Sequence, residues 1–134
     1  MILLDTCAII YVSQGDAMSQ AAMVAIDKAA ESGELFVSPI SAWEIGSLAA
    51  RAKLALTTEP GRFFGLFLEK SGSDLCDMDW DILIKSSFLP GPIHKDPMDR
   101  IIVASARKHD LTLVTRDRAL LAYGAAGYVR TLAC

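Results

Sequence analysis

Residues 94–117 read HKDPMDRIIVASARKHDLTLVTRD, and this stretch decides the fold. Asp96-Pro97 opens a helix, because an aspartate accepts the free amides of a first turn and a proline carries the φ that the first helical position needs. Ile101 to Ala106 continue it as an apolar run. Its last turn holds Arg107 and Lys108, cations at the negative end of the helix dipole. Leu111 to Thr115 then form a β-run that stops just short of a further acid, Asp117. In an open α/β sheet, ligands bind beyond the carboxyl ends of the strands. A strand that delivers Asp117 there, beside a helix whose start carries Asp96 and Asp99, outlines an acidic site.

Working outward, Ile2-Leu3-Leu4 is a short buried strand with Asp5-Thr6 as its first polar pair. Ala17 to Glu31, rich in Ala and Met, reads as a helix stopped by Gly33, and Leu35-Phe36-Val37 as a second strand. Ser38-Pro39 starts a helix to about Lys53 with Ala42, Ile45, Leu48 and Ala49 on one stripe. Pro60 to Lys70 is a further helix ended by Ser71-Gly72-Ser73. Leu75 to Met78 is a weak strand, and Trp80 to Leu89 a helix closed by Pro90-Gly91-Pro92. A short helix from Arg118 to Tyr123 and an edge strand from Tyr128 to Leu132 complete the chain. Strands alternating with helices imply an α/β fold: a parallel or mostly parallel central sheet with helices on both faces.

The length of 134 residues fits one domain, residues 1–134, with 52% hydrophobic and 22% charged residues, a globular and not a disordered composition. The longest apolar runs fall far short of a membrane span, and Met1 leads directly into Ile2 without a basic leader, so a cytoplasmic protein with no membrane contact is expected. Three cysteines without metal-ligand spacing fit reduced thiols, with Cys7 and Cys76 expected as small core residues. A net charge of -3 argues against broad electrostatic adhesion to nucleic acid but leaves room for a local basic rim.

Each acid has a purely structural reading. Asp96 caps a helix and Asp99 offsets its dipole. Glu44 stands three residues after Ser41 in a capping-box pattern, Asp117 could cap the following helix, and Asp5 could close an Asx turn. Their conjunction says more. Asp5 and Asp117 follow strands, while Glu44 and Asp99 are expected in first turns entered from the same side, which brings four carboxylates to one end of one sheet. Unit charges 4 Å apart repel by about 4 kcal/mol at an effective dielectric near 20, so such a set calls for a divalent cation. Oxygen ligands without a His or Cys cluster favour Mg²⁺ or Mn²⁺ over Zn²⁺, and such a site suits phosphoryl transfer.

Lys95, Arg100, Arg116 and Arg118 adjoin the acids, as either a solvated rim or a phosphate-guiding collar. His94 and His109 are too far apart in sequence to suggest a ligand pair and read as surface or capping residues. Trp43, beside Glu44, could stack on a base, although a helical Trp more often belongs to a core or an interface. There is no GxGxxG, Walker lysine loop or GxSxG elbow.

With LLDTCAII, ISAWEIGSLAARAKL, LPGPIHKDPMDRIIVASA and LTLVTRD in view, nearly the whole chain resembles the PIN-domain superfamily, and within it the VapC-type ribonuclease toxins of toxin-antitoxin pairs. The resemblance implies a three-layer αβα sandwich and a Mg²⁺-dependent endoribonuclease, with Mn²⁺ as a possible substitute. By position it assigns catalysis and metal binding to Asp5, Glu44, Asp99 and Asp117, with Thr115 and Asp96 in support. It also implies a homodimer restrained by an antitoxin; the Ala- and Met-rich helix 17–31 and the helix containing Trp43 and Leu48 either offer the antitoxin shallow grooves or are simply close-packed on the sheet or on a dimer mate. Two other readings are a receiver-like signalling domain, which lacks here an acid pair after the first strand, and a catalytically idle PIN fold acting as a binding module.

Overall fold

In the computed structural model, which describes residues 1–134, β1 (Ile2–Leu4) is the middle strand of a five-stranded sheet. The order is β3 (Asp74–Leu75), β2 (Leu35–Val37), β1, β4 (Thr112–Thr115), β5 (Thr131–Ala133), and every neighbouring pair is parallel. Leu4 is in register with Val37 on one side and Val114 on the other. All three residues of β1 are buried, the unbroken apolar run that a parallel strand covered on both faces requires.

Successive side chains along a strand point to opposite faces, and the two cores divide accordingly. Ile2 and Leu4 pack with α1 (Thr6–Gln14), α2 (Gln20–Glu31), α3 (Pro39–Ala50) and α4 (Pro60–Ser71), which contribute Ile9, Ile26, Ile45, Phe64 and Phe67. Leu3 and Leu113 pack on the other face against Ile102 and Val103 of α6 (Pro97–Lys108) and Leu120 and Tyr123 of α7 (Arg118–Ala125). Each fully buried Leu or Ile stabilises this arrangement by about 1.5–3 kcal/mol. The three layers expected from the sequence are present. The strand order also sets the receiver-like alternative aside, since that fold runs 2-1-3-4-5.

Several boundaries moved, and one helix was not foreseen. Helix α1 begins directly after β1, so Asp5 is a helix cap and not an Asx turn. Helix α2 starts at Gln20, where the Ser19 hydroxyl caps it, and not at Ala17. The short helix α5 (Trp80–Lys85) stops well before Leu89, because the carbonyls of Ser86 and Ser87 turn to the Arg100 guanidinium. Strand β5 begins at Thr131, since Tyr128 stacks on Tyr123 and gives its carbonyl to Arg107. Strand β3 covers only 74–75. Cys76 is buried as expected, but Cys7 is exposed: it sits at the first turn of α1, beyond the sheet edge. Trp43 is exposed rather than in the core. No helix is long and apolar enough to cross a membrane.

Candidate active site

Strand order reverses at β1, whose chain continues to β2 on one side and pairs with β4 on the other, so the crevice beyond the carboxyl ends of β1 and β4 is the topological switch point. The Asp5 amide donates to Val114 O at 3.2 Å, which seats Asp5 over that crevice. One carboxylate oxygen of Asp5 caps α1 by accepting the Ala8 amide at 2.7 Å, and the other accepts from the Thr115 hydroxyl. Thr115 Oγ1 in turn accepts the Asp117 amide at 3.1 Å, so a single buried hydroxyl couples the ends of the two strands. Asp117 caps α7 through Leu120 N at 2.9 Å. Asp96 caps α6 through the amides of Met98 and Asp99, with Pro97 in the first helical position. Capping and membership of the acidic site are thus not alternatives: Asp5, Asp96 and Asp117 are helix caps because helices α1, α6 and α7 all start at this edge.

Glu44 comes from α3, and its placement differs from the expected capping box. Ser38 is the cap and Pro39 the first helical residue, which leaves Ser41 inside the helix and Glu44 in its second turn. Ser41 is fully buried and accepts a hydrogen bond from the Thr6 hydroxyl at 2.9 Å, which ties α3 to the start of α1. Glu44, one turn further along the same helix face, is carried toward the acids.

Charge crowding is evident at Asp99. Its carboxyl is pushed up to about 7, first by burial and then by the charges of Asp96, Asp117, Glu44 and Asp5. Burial also holds Asp5 above its ordinary value, with the Thr115 and Ala8 hydrogen bonds opposing it and Asp117 and Glu44 adding to it. The Cys7 thiol is driven up to about 11 by partial desolvation and by Asp5, Glu44, Asp99 and Asp117. All four acids named from the sequence therefore act on one small volume.

The basic residues behave differently from a collar. Arg100 donates to the carbonyls of Ser86, Ser87, Ile93 and His94. Arg116 donates to the carbonyls of Cys134 and Ala17 and lies 4.0 Å from the centroid of the Tyr11 ring. Both guanidinium groups brace the fold. Lys95 and Arg118 are exposed at the rim.

His94 was read as a surface or capping residue, and the structure places it inside the cluster. Its Nε2 lies 3.2 Å from Asp99 Oδ2 and 4.0 Å from Asp117 Oδ1. One donor atom each from His94, Asp99 and Asp117 fall within 4.8 Å of one another, the spacing of a cation-binding face. The only sequence signal was its nearness to Asp96, while Asp117 arrives from the end of a different strand. The set fits a hard divalent cation: several carboxylates share one desolvated crevice, one is driven to about 7 first by burial and then by its neighbours, and no Lys or Arg pairs with Asp5 or Asp99. Asp5, Glu44, Asp99 and Asp117 are the residues that could hold it.

No curated protein matches the chain. Among solved structures, VapBC2 from Rickettsia felis bound to a DNA fragment from their promoter is similar with a TM-score of 0.70 at 17% identity, over 99% of this chain and 98% of that one. FitAcB from Neisseria gonorrhoeae has a TM-score of 0.59 at 21% identity, over 98% and 96%. FitAB bound to an IR36 DNA fragment has a TM-score of 0.60 at 21%, over 99% and 94%. At such identities the likeness carries the fold. The PIN domain family pattern matches residues 2–126 and so spans four of the five strands and every acid of the crevice. The chain belongs to the PIN domain family.

Proposed function

We propose that this chain is a metal-dependent endoribonuclease of the VapC type, acting on RNA phosphodiester bonds with Mg²⁺, or Mn²⁺ in its place. The observation that carries this reading is the convergence of Asp5, Glu44, Asp99 and Asp117 at the switch point, with Asp99 raised to about 7 by burial and by its fellow acids. A hard divalent cation supplies there an activated water and charge stabilisation on the departing oxygen. Asp5 and Asp99 would hold it from β1 and α6, Glu44 from α3 and Asp117 from the end of β4. Thr115 orients Asp5 and Asp117 together, and Asp96 orients the start of α6. Lys95 and Arg118, the exposed cations, are the ones free to meet RNA phosphates, whereas Arg100 and Arg116 serve the fold.

We place an antitoxin and a second copy of the chain among its partners, in the cytoplasm. The names VapBC2 and FitAB, and the VapC resemblance, support a protein partner. Met23 and Val24 on α2 and Trp43 on α3 are exposed apolar residues on the two helices expected to receive it. Ala22, by contrast, is fully buried, so a charge at Val24 and not at Ala22 tests that surface. Trp80, Ile84 and Phe88 are exposed apolar residues on and after α5, a surface that a second copy of the chain would cover.

The deciding experiment measures cleavage of single-stranded RNA by the purified chain with Mg²⁺, with Mn²⁺ and with EDTA, alongside Asp99→Asn. Metal-dependent cleavage that Asp99→Asn abolishes is the expected result. Absence of cleavage in every metal, or equal cleavage by the variant, overturns the assignment and returns the fold to the binding-module reading.

A further inference from the structure

His94 lies on the segment between α5 and α6, and its imidazole enters the acid crevice without a role in the reading so far. Two anchors fix it. The Arg100 guanidinium donates to the carbonyls of His94 and Ile93, at 3.3 and 3.5 Å, and its Nε donates to Ser86 O at 2.8 Å, which pins the backbone of the segment. The Asp96 amide donates to His94 Nδ1 at 3.3 Å, which sets the ring. A neutral imidazole has one donor and one acceptor nitrogen, so occupation of the Nδ1 lone pair leaves the proton on Nε2. Nε2 is buried and has no aligned hydrogen-bond partner, although Asp99 Oδ2 is only 3.2 Å away. That separation suits a hydrogen bond, and only the alignment is wanting.

We propose that His94 is a positioning residue for the metal site: its Nε2–H holds one oxygen of Asp99 and thereby sets the angle at which that carboxylate meets the cation. The inference rests on the metal-dependent reading above and adds a residue to it. His94 is then a donor to a ligand and not itself a ligand, because a protonated Nε2 has no lone pair to offer a metal. Arg100, next in sequence to Asp99, acts one step further back through the carbonyl of His94.

The test is a Mn²⁺ titration of the full chain followed by the electron paramagnetic resonance signal of free Mn²⁺, for the parent, His94→Ala, His94→Gln and Asp99→Asn. Loss of an outer partner of a ligating residue weakens metal binding by about 10- to 100-fold, which is the effect expected of His94→Ala. His94→Gln should return the affinity to within about threefold of the parent, because its amide also donates. The bound Mn²⁺ should show no ¹⁴N coupling from imidazole in the parent. Unchanged affinity in His94→Ala overturns the proposal, as does tighter binding, which would make His94 an obstruction. Imidazole ¹⁴N coupling overturns it too, by making His94 a ligand. If His94→Ala fails to fold, the ¹⁴N spectrum of the parent and the affinity of His94→Gln decide. A parent that binds no Mn²⁺ removes the metal-dependent reading itself, whereas a parent that binds, an Asp99→Asn that does not and an unaffected His94→Ala remove only the role of His94.

Discussion

Asp99→Asn should make the metal-free protein more stable at pH 8, although it removes an acid from the candidate active site. Asp99 has an ordinary value of 3.8 and is pushed up to about 7 in the folded chain. The native state therefore keeps a proton that the unfolded chain has already released. Stability linked to Asp99 is fully present below about 3.8, declines as pH rises, and is lost above about 7. At about 1.4 kcal/mol per pH unit, that span sets an upper limit near 4 kcal/mol. The side chain is only 21% exposed, so solvent screens little of it, but the strain is shared among several acids that titrate together. Half of the limit, about 2 kcal/mol, is the working figure, and in a chain of this length it corresponds to a rise in Tm of about 6–10 °C. Thermal melts in EDTA at pH 8 and pH 5 check it, because the gain should at least halve at the lower pH, where the parent carboxyl is already protonated. An Asp99→Asn protein that is less stable than the parent at pH 8, or a gain equal at both pH values, refutes the crowded-carboxylate argument.

Thr115→Val keeps the shape of a fully buried side chain but removes the donor to Asp5 and the acceptor for the Asp117 amide, so chemical denaturation should show a loss of about 1–3 kcal/mol. Asp96→Ala leaves the amides of Met98 and Asp99 uncapped and should lower stability by about 1 kcal/mol while some RNA cleavage remains; complete inactivation would move Asp96 into the metal site. Gly124→Ala would drive a Cβ into the Thr131 side chain, and the overpacking should destabilise by about 1–3 kcal/mol in the same assay. A Val24→Glu variant, exposed on α2, should melt with the parent and escape neutralisation by the proposed antitoxin; unchanged neutralisation would move the docking face elsewhere.

Much of this arrangement was legible because local chemistry and tertiary position agree. Asp96-Pro97 announces a helix start by its own side chains, and that start lies at the sheet edge where the other acids gather. Helix α1 was hidden because Ile9, Ile10 and Val12, β-branched residues with little helical preference, follow a strand without a Gly or Pro between. Packing of Ala8 and Ile9 on the sheet overrides that preference. The Ser41–Glu44 spacing imitates a capping box, but Ser38 and Pro39, the start expected from the sequence, cap the helix three residues earlier. His94 could not be found from spacing, since the atoms it faces belong to α6 and to the residue after β4. Neither a solvated rim nor a phosphate collar describes Arg100 and Arg116, because a sequence does not reveal which carbonyls turn inward.

The central position of β1 also governs when the site can exist. Asp5 belongs to the first strand of the chain, yet its backbone is bonded to Val114 and its side chain to Thr115, 110 residues later. Closing so long a loop precedes any reward from the contacts it permits, which makes β1–β4 pairing a late event in folding. During synthesis, Asp5 and Glu44 emerge long before Asp99 and Asp117. A growing chain thus carries only half of its carboxylates, on a sheet that lacks the strand beside β1. The complete crevice arises only once Asp117 has been made and β4 has paired with β1, so no nascent chain shorter than that carries the full set of acids.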